Sequence, residues 1–599
     1  METYKLTMTR PGIFFFVVGP SGAGKDTLID GAQVRLADSD RYVFATRTIT
    51  RPGDAPGEAH IGVTEAEFAA LDAQGAFLVT WQAHGLHYGL DATLRDALAQ
   101  GRHVVANGSR AILPKLIGRV PRLIVVEVSA PAEVLATRIA GRGRETPEQI
   151  VARLARSVTA YPAEVPLVRV SNDSTSDVGI ARFVEALQAC AAPPQSFALA
   201  EAKRAGATLD EASWTQLLDD LIYERYAPEE GEALLRLLIE GLDGNEIVAL
   251  TRARTRLMPR IDWERPIVVD KHSMGGVPGS RITLIVVPLV VAYGLCMPKT
   301  SSRAITSAAG TADAMEAAAR VVLDASEMRA AVAQAGGCIV WNGRLNHSRV
   351  DDVTNAMVRP LRLDTRRWSV ASILSKKFCA GATHVVVDLP WGPQAKIADE
   401  TQARELGALF ARVGAALGMT VQAIATDGRA PIGRGIGPAL ELRDVLRVLD
   451  NHAAAPADLR AKALMFAAQI LSWDPALGGD VVKARGIAEK LLADGLARRA
   501  FERIVDAQGR KPYATPSTAF TDIVASSDGV VVAIDGWEIS GIARDAGAPQ
   551  DMGAGVDLFC TVGQSVRAGD VLMRVHGNDP QRLAAAAARA TAASGIGVQ

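Results

Sequence analysis

The 599-residue chain has almost no net charge: 65 Lys and Arg stand against 66 Asp and Glu, a balance of −1. Without an excess of one sign there is no overall attraction to nucleic acid or to an anionic membrane, although local positive patches for small anions remain available. Cysteine is scarce. Cys190, Cys296, Cys338, Cys379 and Cys560 are scattered, odd in number and form no CxxC, which argues against a disulfide framework or a structural zinc site and fits a reducing cytoplasm. The nine histidines form no HExxH. Long apolar runs are also missing. Ile13–Val18 spans six residues, too few for a signal segment or a membrane span. Ile282–Met297 is longer but contains Pro288 and Gly294; it falls below the ~18 residues of a spanning helix and reads as a buried helix.

What the chain does have is alternation. It is too long for one hydrophobic core, and about three or four domains are expected. Over residues 10–190 strand-like runs (Ile13–Val18, His103–Ala106, Leu123–Val128) alternate with helical patterns, which predicts a parallel sheet covered on both faces. Residues 191–208, with their PP and small residues, read as a linker. Leu209–Arg256 reads as amphipathic helices, with Leu217, Leu218, Leu221 and Ile222 at helical spacing. A second α/β pattern fills 266–500, with strands expected at Ile267–Val269, Cys338–Trp341, His384–Leu389 and Thr420–Ala425. From residue 510 to 580 short β runs predict a small α+β or barrel-like domain, and Ala584–Gln599 reads as a helix fading into disorder.

Two segments have the chemistry of phosphate handling. The first is GPSGAGKDT: Gly19, Pro20, Ser21, Gly22, Ala23, Gly24, Lys25, Asp26 and Thr27. A strand, a Gly-rich turn and a helix form a P-loop, in which backbone N–H groups and the helix N-terminus face the phosphates of ATP. Lys25 reaches the β- and γ-oxygens. Asp26 stands where Ser or Thr usually binds Mg²⁺, with Thr27 next; either is a hard oxygen ligand. The second comprises KHSMGGVPGSRITL (Lys271–Leu284) and KTSSRAITSAAGT (Lys299–Thr311). Lys271, His272, Ser273 and Gly276, with Ser302, Arg303, Ala304, Ile305, Thr306, Ser307 and Thr311, gather many small donors into two loops, as an anion requires.

Around the first loop the chain resembles the guanylate kinase superfamily. ATRTITRP (Ala45–Pro52) matches its substrate-phosphate segment, with Arg47 and Arg51 as clamps. HGLHYG (His84–Gly89) and RGRE (Arg142–Glu145) match later segments, and the second implies that Arg142 covers ATP. The carboxylates that read guanine are absent: Thr80 precedes Trp81, and ANGSR (Ala106–Arg110) replaces an acidic segment. GPSGxGKD, TRxxTRP and the ANGSR segment are instead similar to the ribose 1,5-bisphosphate phosphokinase branch. That resemblance implies ATP-dependent conversion of ribose 1,5-bisphosphate to phosphoribosyl diphosphate.

The second segment resembles the thymidine/pyrimidine nucleoside phosphorylase family, through KHSxGGV, ASILSKK (Ala371–Lys377), GATHVVVDLPWGP (Gly381–Pro393) and GQSVRAGDVL (Gly563–Leu572). VPG and PKTSSRAITSxAGTAD are similar to its AMP phosphorylase branch. By that resemblance Gly276, Ser302–Ser307, Thr311, Ser372, Lys376 and Lys396 contact substrate, and Asp364 donates a proton to the departing base. Phosphate attacks C1′ as the C–N bond lengthens, and an acid with a raised pKa assists the leaving base. Asp364 fills that role only if its surroundings keep it protonated; the alternative is that it pairs with Arg362, Arg366 or Arg367. The helical segment 209–265 is expected to be joined in space by 355–380.

Smaller signals carry less. GRGIG (Gly433–Gly437) reads as a turn rather than a dinucleotide site, and GQSVRAGDVL has no lysine to carry a lipoyl or biotinyl group. The Asn172-Asp173-Ser174 triplet has no secretory context and reads as no glycosylation site. The expected fold class is thus α/β: a P-loop kinase domain, then a helical plus α/β phosphorylase unit with a small C-terminal domain. Ribose 1,5-bisphosphate links the two resemblances, since AMP-type phosphorolysis releases it and the kinase consumes it. Two alternatives stay open: the same kinase fused to a thymidine phosphorylase, and a kinase-like domain serving only as a binding module, which Lys25 disfavours. ATP with Mg²⁺ and inorganic phosphate are the expected co-substrates. No organic prosthetic group, nucleic acid or membrane is expected, and the phosphorylase resemblance implies a homo-oligomer.

Overall fold

The computed structural model describes residues 11–20, 22–52, 60–83, 85–130, 134–135, 138, 165–304, 307–345, 349–358, 361 and 363–599. The chain divides into two compact units. One comprises Met1–Ala205, Gln216–Leu238 and Asp352–Leu363; the other comprises Gly206–Thr215, Ile239–Asp351 and Asp364–Gln599.

The first unit is built on a five-stranded sheet in the order Tyr42–Phe44, His103–Asn107, Phe14–Val18, Leu123–Ser129, Leu167–Ser171. Every pairing is parallel. Phe14–Val18 is buried throughout and lies at the centre. Phe15 and Val17 feed a core with Leu28, Ala32, Phe183 and Leu187, while Phe14, Phe16 and Val18 feed another with Leu78, Leu90 and Leu98. Both faces of the strand are covered, which is why it reads as an unbroken apolar run. A four-stranded sheet (His60–Gly62, Arg47–Ile49, Leu86–Asp91, Phe77–Ala83) presents the Arg47 segment. The stretch expected to be a plain linker contains a helix, Phe197–Arg204, with Ala200 and Lys203 buried.

The second unit has a parallel sheet in the order Val269–Ser273, His384–Trp391, Thr420–Asp427, and a parallel pair, Met297–Ser301 with Gly337–Trp341. A bridge between Val268 and Cys296 connects them. One expectation needs correction. The strand runs Val269–Ser273 rather than Ile267–Val269, so Lys271, His272 and Ser273 stand on a strand and not in a loop. Lys271 and Ser273 tolerate this because Asp388, on the strand His384–Trp391, lies against both. Thr283–Tyr293 is a helix buried along nearly its whole length despite Pro288.

The C-terminal part has a four-stranded antiparallel sheet and a three-stranded one, with helices Gly536–Asp545 and Pro580–Ala592, an α+β arrangement. The tail is a second correction. After the helix, Ile596–Val598 forms a strand against Gly529–Ile534, with Val598 opposite Val531.

Candidate functional site

In the first unit the GPSGAGK loop joins the central strand to the helix Lys25–Arg35. Gly24 caps that helix in the left-handed region, φ 84° and ψ 23°. A Cβ there would lie 2.5 Å from Asn172 Nδ2, so only glycine suits both backbone and space. Lys25 Nζ folds over the loop, donating to the Gly19 carbonyl at 2.9 Å and the Pro20 carbonyl at 3.2 Å. Asp26 is exposed, and Asn107 Nδ2 donates to its Oδ1 at 2.7 Å; Thr27, the next residue, is exposed as well. Burial lowers the pKa of Arg47, and Asp26 is the nearby anion that opposes the shift. The Arg47 guanidinium lies 5.8 Å from the Tyr88 ring, which stacks on Trp81 at 5.3 Å. Arg47 is therefore brought to the loop's acidic residue. Arg51 donates from Nε to His60 Nε2 at 3.2 Å, and its charge acts on Arg47. Ser21, His84 and the Arg142–Glu145 segment lie outside the described residues.

Asn172 holds this loop from behind. It is 4% exposed, and its Nδ2 donates to the Ala23 carbonyl at 2.7 Å. The sequence offered it only as a spurious glycosylation triplet; its position just past the strand Leu167–Ser171 was the usable signal. Glu127 was also missed: it takes Arg110 Nη2 at 2.9 Å and Arg169 Nε at 3.2 Å.

In the second unit the strand Val269–Ser273 carries a row of buried charge. Lys271, 2% exposed, places Nζ 3.9 Å from Asp388 Oδ2. The same oxygen takes Lys462 Nζ at 3.0 Å and the Ser273 hydroxyl at 3.0 Å, while Thr426 donates to Oδ1 at 2.6 Å. Burial pushes Lys271 down to about 8, with Asp388 opposing. Burial alone would raise Asp388, yet Lys462 and Lys271 hold it below its ordinary value. Beside it, Asp270 takes Lys377 Nζ at 2.8 Å and Lys299 Nζ at 3.3 Å. Burial lowers Lys377 to about 7 although Asp270 opposes the shift. His272 lies among Lys377, Lys299, Lys376 and Lys271; burial first, then these charges, push it well below the usual histidine value. It is neutral at pH 7.

Gly276 brings a neighbouring loop close: a Cβ there would lie 3.4 Å from Ala395 Cα and 3.5 Å from Lys396 N. The Lys396 side chain reaches solvent, yet the protein atoms around its amine desolvate it and Lys376 adds repulsion, so its pKa is lowered. The loop carrying Lys396 is clasped by the C-terminal part. Gln394 Oε1 accepts from Gly536 N, and its backbone carbonyl accepts from Trp537 Nε1, both at 2.8 Å.

In the second loop, Asp313 Oδ2 accepts from Ala304 N at 2.7 Å and Gly310 N at 2.8 Å, fixing the turn that carries Ser302 and Ser307 into the helix Thr311–Glu316. Arg303 Nη1 pairs with Asp313 at 2.9 Å and Glu316 at 2.5 Å and lies 5.3 Å from the Trp341 ring. The Ser307 hydroxyl donates to the Ala309 carbonyl at 2.8 Å. Ile305 and Thr306 lie outside the described residues.

ASILSKK lies on the helix Arg366–Cys379. Ser372 Oγ donates to Asp351 Oδ2 at 2.7 Å, and Lys376 Nζ reaches the same oxygen at 2.5 Å. Asp364, expected to be the proton donor, is held by an arginine. Its side chain is 60% exposed and pairs bidentately with Arg366, at 2.9 Å to Nε and 2.6 Å to Nη2. The Arg366 hydrogen bonds hold its carboxyl below the usual range. It is ionised at neutral pH and in this arrangement has no proton to donate, which weighs against the donor role; Arg366 is the partner, and Arg362 is not among the described residues. Asp388, Lys462 and Asp351 escaped the sequence reading. Asp388 left one trace, as the lone charge in the apolar strand His384–Trp391.

Among the described residues no helix is long and apolar enough to cross a membrane. Residues 265–498 match the model of the glycosyl transferase family, a/b domain, and 530–597 match the pyrimidine nucleoside phosphorylase C-terminal domain. The bifunctional ribose 1,5-bisphosphokinase-thymidine phosphorylase of Cupriavidus necator is 57% identical over 97% of each chain. That of Azorhizobium caulinodans is 50% identical over 99% of this chain and 98% of its own. A putative thymidine phosphorylase of Rhodopseudomonas palustris is 47% identical over 68% of this chain and 79% of its own. Among solved structures, anthranilate phosphoribosyltransferase of Thermus thermophilus matches at 18% identity over 52% of this chain and 98% of its own, with a TM-score of 0.44.

Proposed function

Because the chain belongs to the family of bifunctional ribose 1,5-bisphosphokinase-thymidine phosphorylases, we propose that it couples two reactions through one doubly phosphorylated pentose. In the first, inorganic phosphate attacks C1′ of a nucleoside 5′-phosphate such as AMP. The C1′–N bond breaks, the base departs, and ribose 1,5-bisphosphate remains. In the second, an oxygen of the 1-phosphate attacks the γ-phosphorus of ATP, giving phosphoribosyl diphosphate and ADP.

The observation that carries the choice of a phosphorylated nucleoside is the surplus of cations by Gly276. Lys376 and Lys396 are close enough to interact, and only Lys376 has a carboxylate partner among the described residues. A substrate with a 5′-phosphate supplies the missing charge. Lys271, Ser273 and Gly276, with Ser302, Ser307 and Thr311, would hold the attacking phosphate. Ser372 and Lys376 would face the base and stabilise the negative charge it gains on leaving.

In the kinase unit Lys25 and the loop amides would cradle the ATP phosphates, and Arg47 and Arg51 would take the sugar phosphate. Exposed Asp26 and Thr27 present a carboxylate and a hydroxyl, donors suited to Mg²⁺. When bound, Mg²⁺ would neutralise charge on the β- and γ-phosphates. A homo-oligomer follows from the phosphorylase resemblance, and sedimentation velocity tests it.

The printed names of the relatives favour a second reading, cleavage of thymidine to thymine and 2-deoxyribose 1-phosphate. The deciding experiment incubates the protein with phosphate and ATP plus either AMP or thymidine and follows products by phosphorus NMR. The proposal expects ribose 1,5-bisphosphate and then phosphoribosyl diphosphate from AMP, with Lys25→Ala stopping at the bisphosphate. Cleavage of thymidine alone replaces AMP with thymidine. Unchanged ATP turnover in Lys25→Ala rejects the loop assignment.

A further inference from the structure

Asp351 belongs to no motif read from the sequence, yet it is the point on which the ASILSKK helix is fixed. It lies on the helix Arg349–Val358 and is 5% exposed. Ser372 and Lys376 are four residues apart on one face of their helix, so a single carboxylate spans both. Oδ2 takes the Ser372 hydroxyl at 2.7 Å and Lys376 Nζ at 2.5 Å, and Oδ1 takes Arg254 Nη2. Arg254, itself 1% exposed, is seated by Ser375 Oγ at 3.4 Å and by the Trp368 ring at 5.8 Å. Ser375 in turn donates to the Ser372 carbonyl at 3.2 Å. The result is a network of mostly buried groups that ties both side chains to one carboxylate.

Resting on the proposed function, in which Ser372 and Lys376 face the base, we propose that Asp351 is a positioning residue for phosphorolysis: its carboxylate sets where those two groups point. The argument is electrostatic as well as geometric. Lys376 stands near Lys396 and His272, and both respond to its charge. Without an anion behind it, the Lys376 ammonium is repelled by Lys396 and free to turn on its flexible four-carbon stem. Asp351 stays ionised to do this: burial would raise its pKa, but Arg254 and Lys376 hold it well below the ordinary carboxylate range. The Lys271–Ser273–Asp388 group shares no hydrogen bond with Asp351 among the described residues, so the phosphate side of the reaction should not sense its loss.

Full-length Asp351→Asn tests this. Misplacing reacting groups by about 1 Å costs on the order of 100-fold, so kcat/KM for the nucleoside substrate should fall roughly 10- to 100-fold. KM for phosphate should stay within about twofold, and the kinase activity of the same chain should not change. In a double-mutant cycle, Asp351→Asn combined with Lys376→Ala should be no worse than Lys376→Ala alone. If the two losses instead multiply, or if phosphate KM rises in step with the nucleoside effect, Asp351 is structural and the proposal fails. If Lys376→Ala keeps full phosphorolysis, the reading of the base site fails, and the proposal with it. Asp351→Glu guards against a variant that does not fold. It keeps the charge but moves the carboxylate by one methylene, and should lower nucleoside kcat/KM while leaving the melting temperature near wild type. Full activity in Asp351→Glu overturns the proposal.

Discussion

Replacing Asp388 by Asn should destabilise the second unit severely at pH 7 and less at pH 9, by the share that Lys271 carries. Asp388 is fully buried and faces Lys271 and Lys462, which are 2% and 8% exposed. Asn keeps the shape, but its single oxygen can accept from Thr426 or from Ser273 and not from both, so the change removes the charge and one acceptor. At an effective dielectric of about 20, the attraction is about 4 kcal/mol at the 3.9 Å separation from Lys271 and about 5–6 kcal/mol at the 3.0 Å separation from Lys462. Much of that gross energy offsets desolvation, and removing one partner of a buried pair typically costs about 3–5 kcal/mol net. At about 2–4 °C per kcal/mol for a unit of this order of size, the midpoint should fall by roughly 6–20 °C.

The pH dependence follows from Lys271. Its folded pKa, about 8, lies below the unfolded 10.5. The unfolded chain therefore binds more protons between those values, and this lysine's penalty on folding is greatest below about pH 8 and fades as pH rises. Losing Asp388 lowers the folded pKa further and enlarges the penalty at pH 7. Near pH 9 Lys271 is largely neutral in both folded proteins, and its share of the difference closes. Differential scanning calorimetry of the full chain at both pH values measures this, with heat inactivation of the kinase as internal control. A midpoint shift under about 2 °C at pH 7, or one equal at both pH values, refutes the reasoning.

Three other perturbations are diagnostic. Gly24→Ala forces a Cβ into a left-handed residue 2.5 Å from Asn172 Nδ2; kinase activity should fall more than about tenfold while phosphorolysis is retained, as assayed on one preparation. Gly437→Ala meets the Ala554 carbonyl at 2.4 Å with φ at 134°; chemical denaturation should show a loss of about 1–3 kcal/mol. Asp364→Asn removes an exposed, already ionised carboxylate, so stability should change by under about 1 kcal/mol. Phosphorolysis in that variant should stay above about a tenth of wild type, whereas a loss near 100-fold or more would mark Asp364 as the general acid.

The elements most legible in the sequence were those whose signals are local. Phe14–Val18 is apolar without interruption because both its faces are covered, and the glycines after it mark a turn that few other sequences make. The strand Val269–Ser273 was misplaced because its charges look like loop residues until their partners are known. Asp388 comes from a strand 115 residues away from Ser273, and no local pattern announces it. The last strand, Ile596–Val598, was missed for the same reason: its partner is Gly529–Ile534. Asp351 lies in no recognised motif, and only the fold shows that it takes two candidate substrate-facing side chains and Arg254. Asp364 was chosen by motif, and its motif could not reveal the bidentate guanidinium beside it.

The clasp at Gln394 has a mechanical consequence. Its side-chain and main-chain carbonyls both hold the start of the helix Gly536–Asp545, and Lys396 follows two residues later. The C-terminal part thus acts as a handle on the loop bearing Lys396. Losing the Trp537 indole N–H would leave the Gly536 N–H to carry the clasp on Gln394, two residues from Lys396.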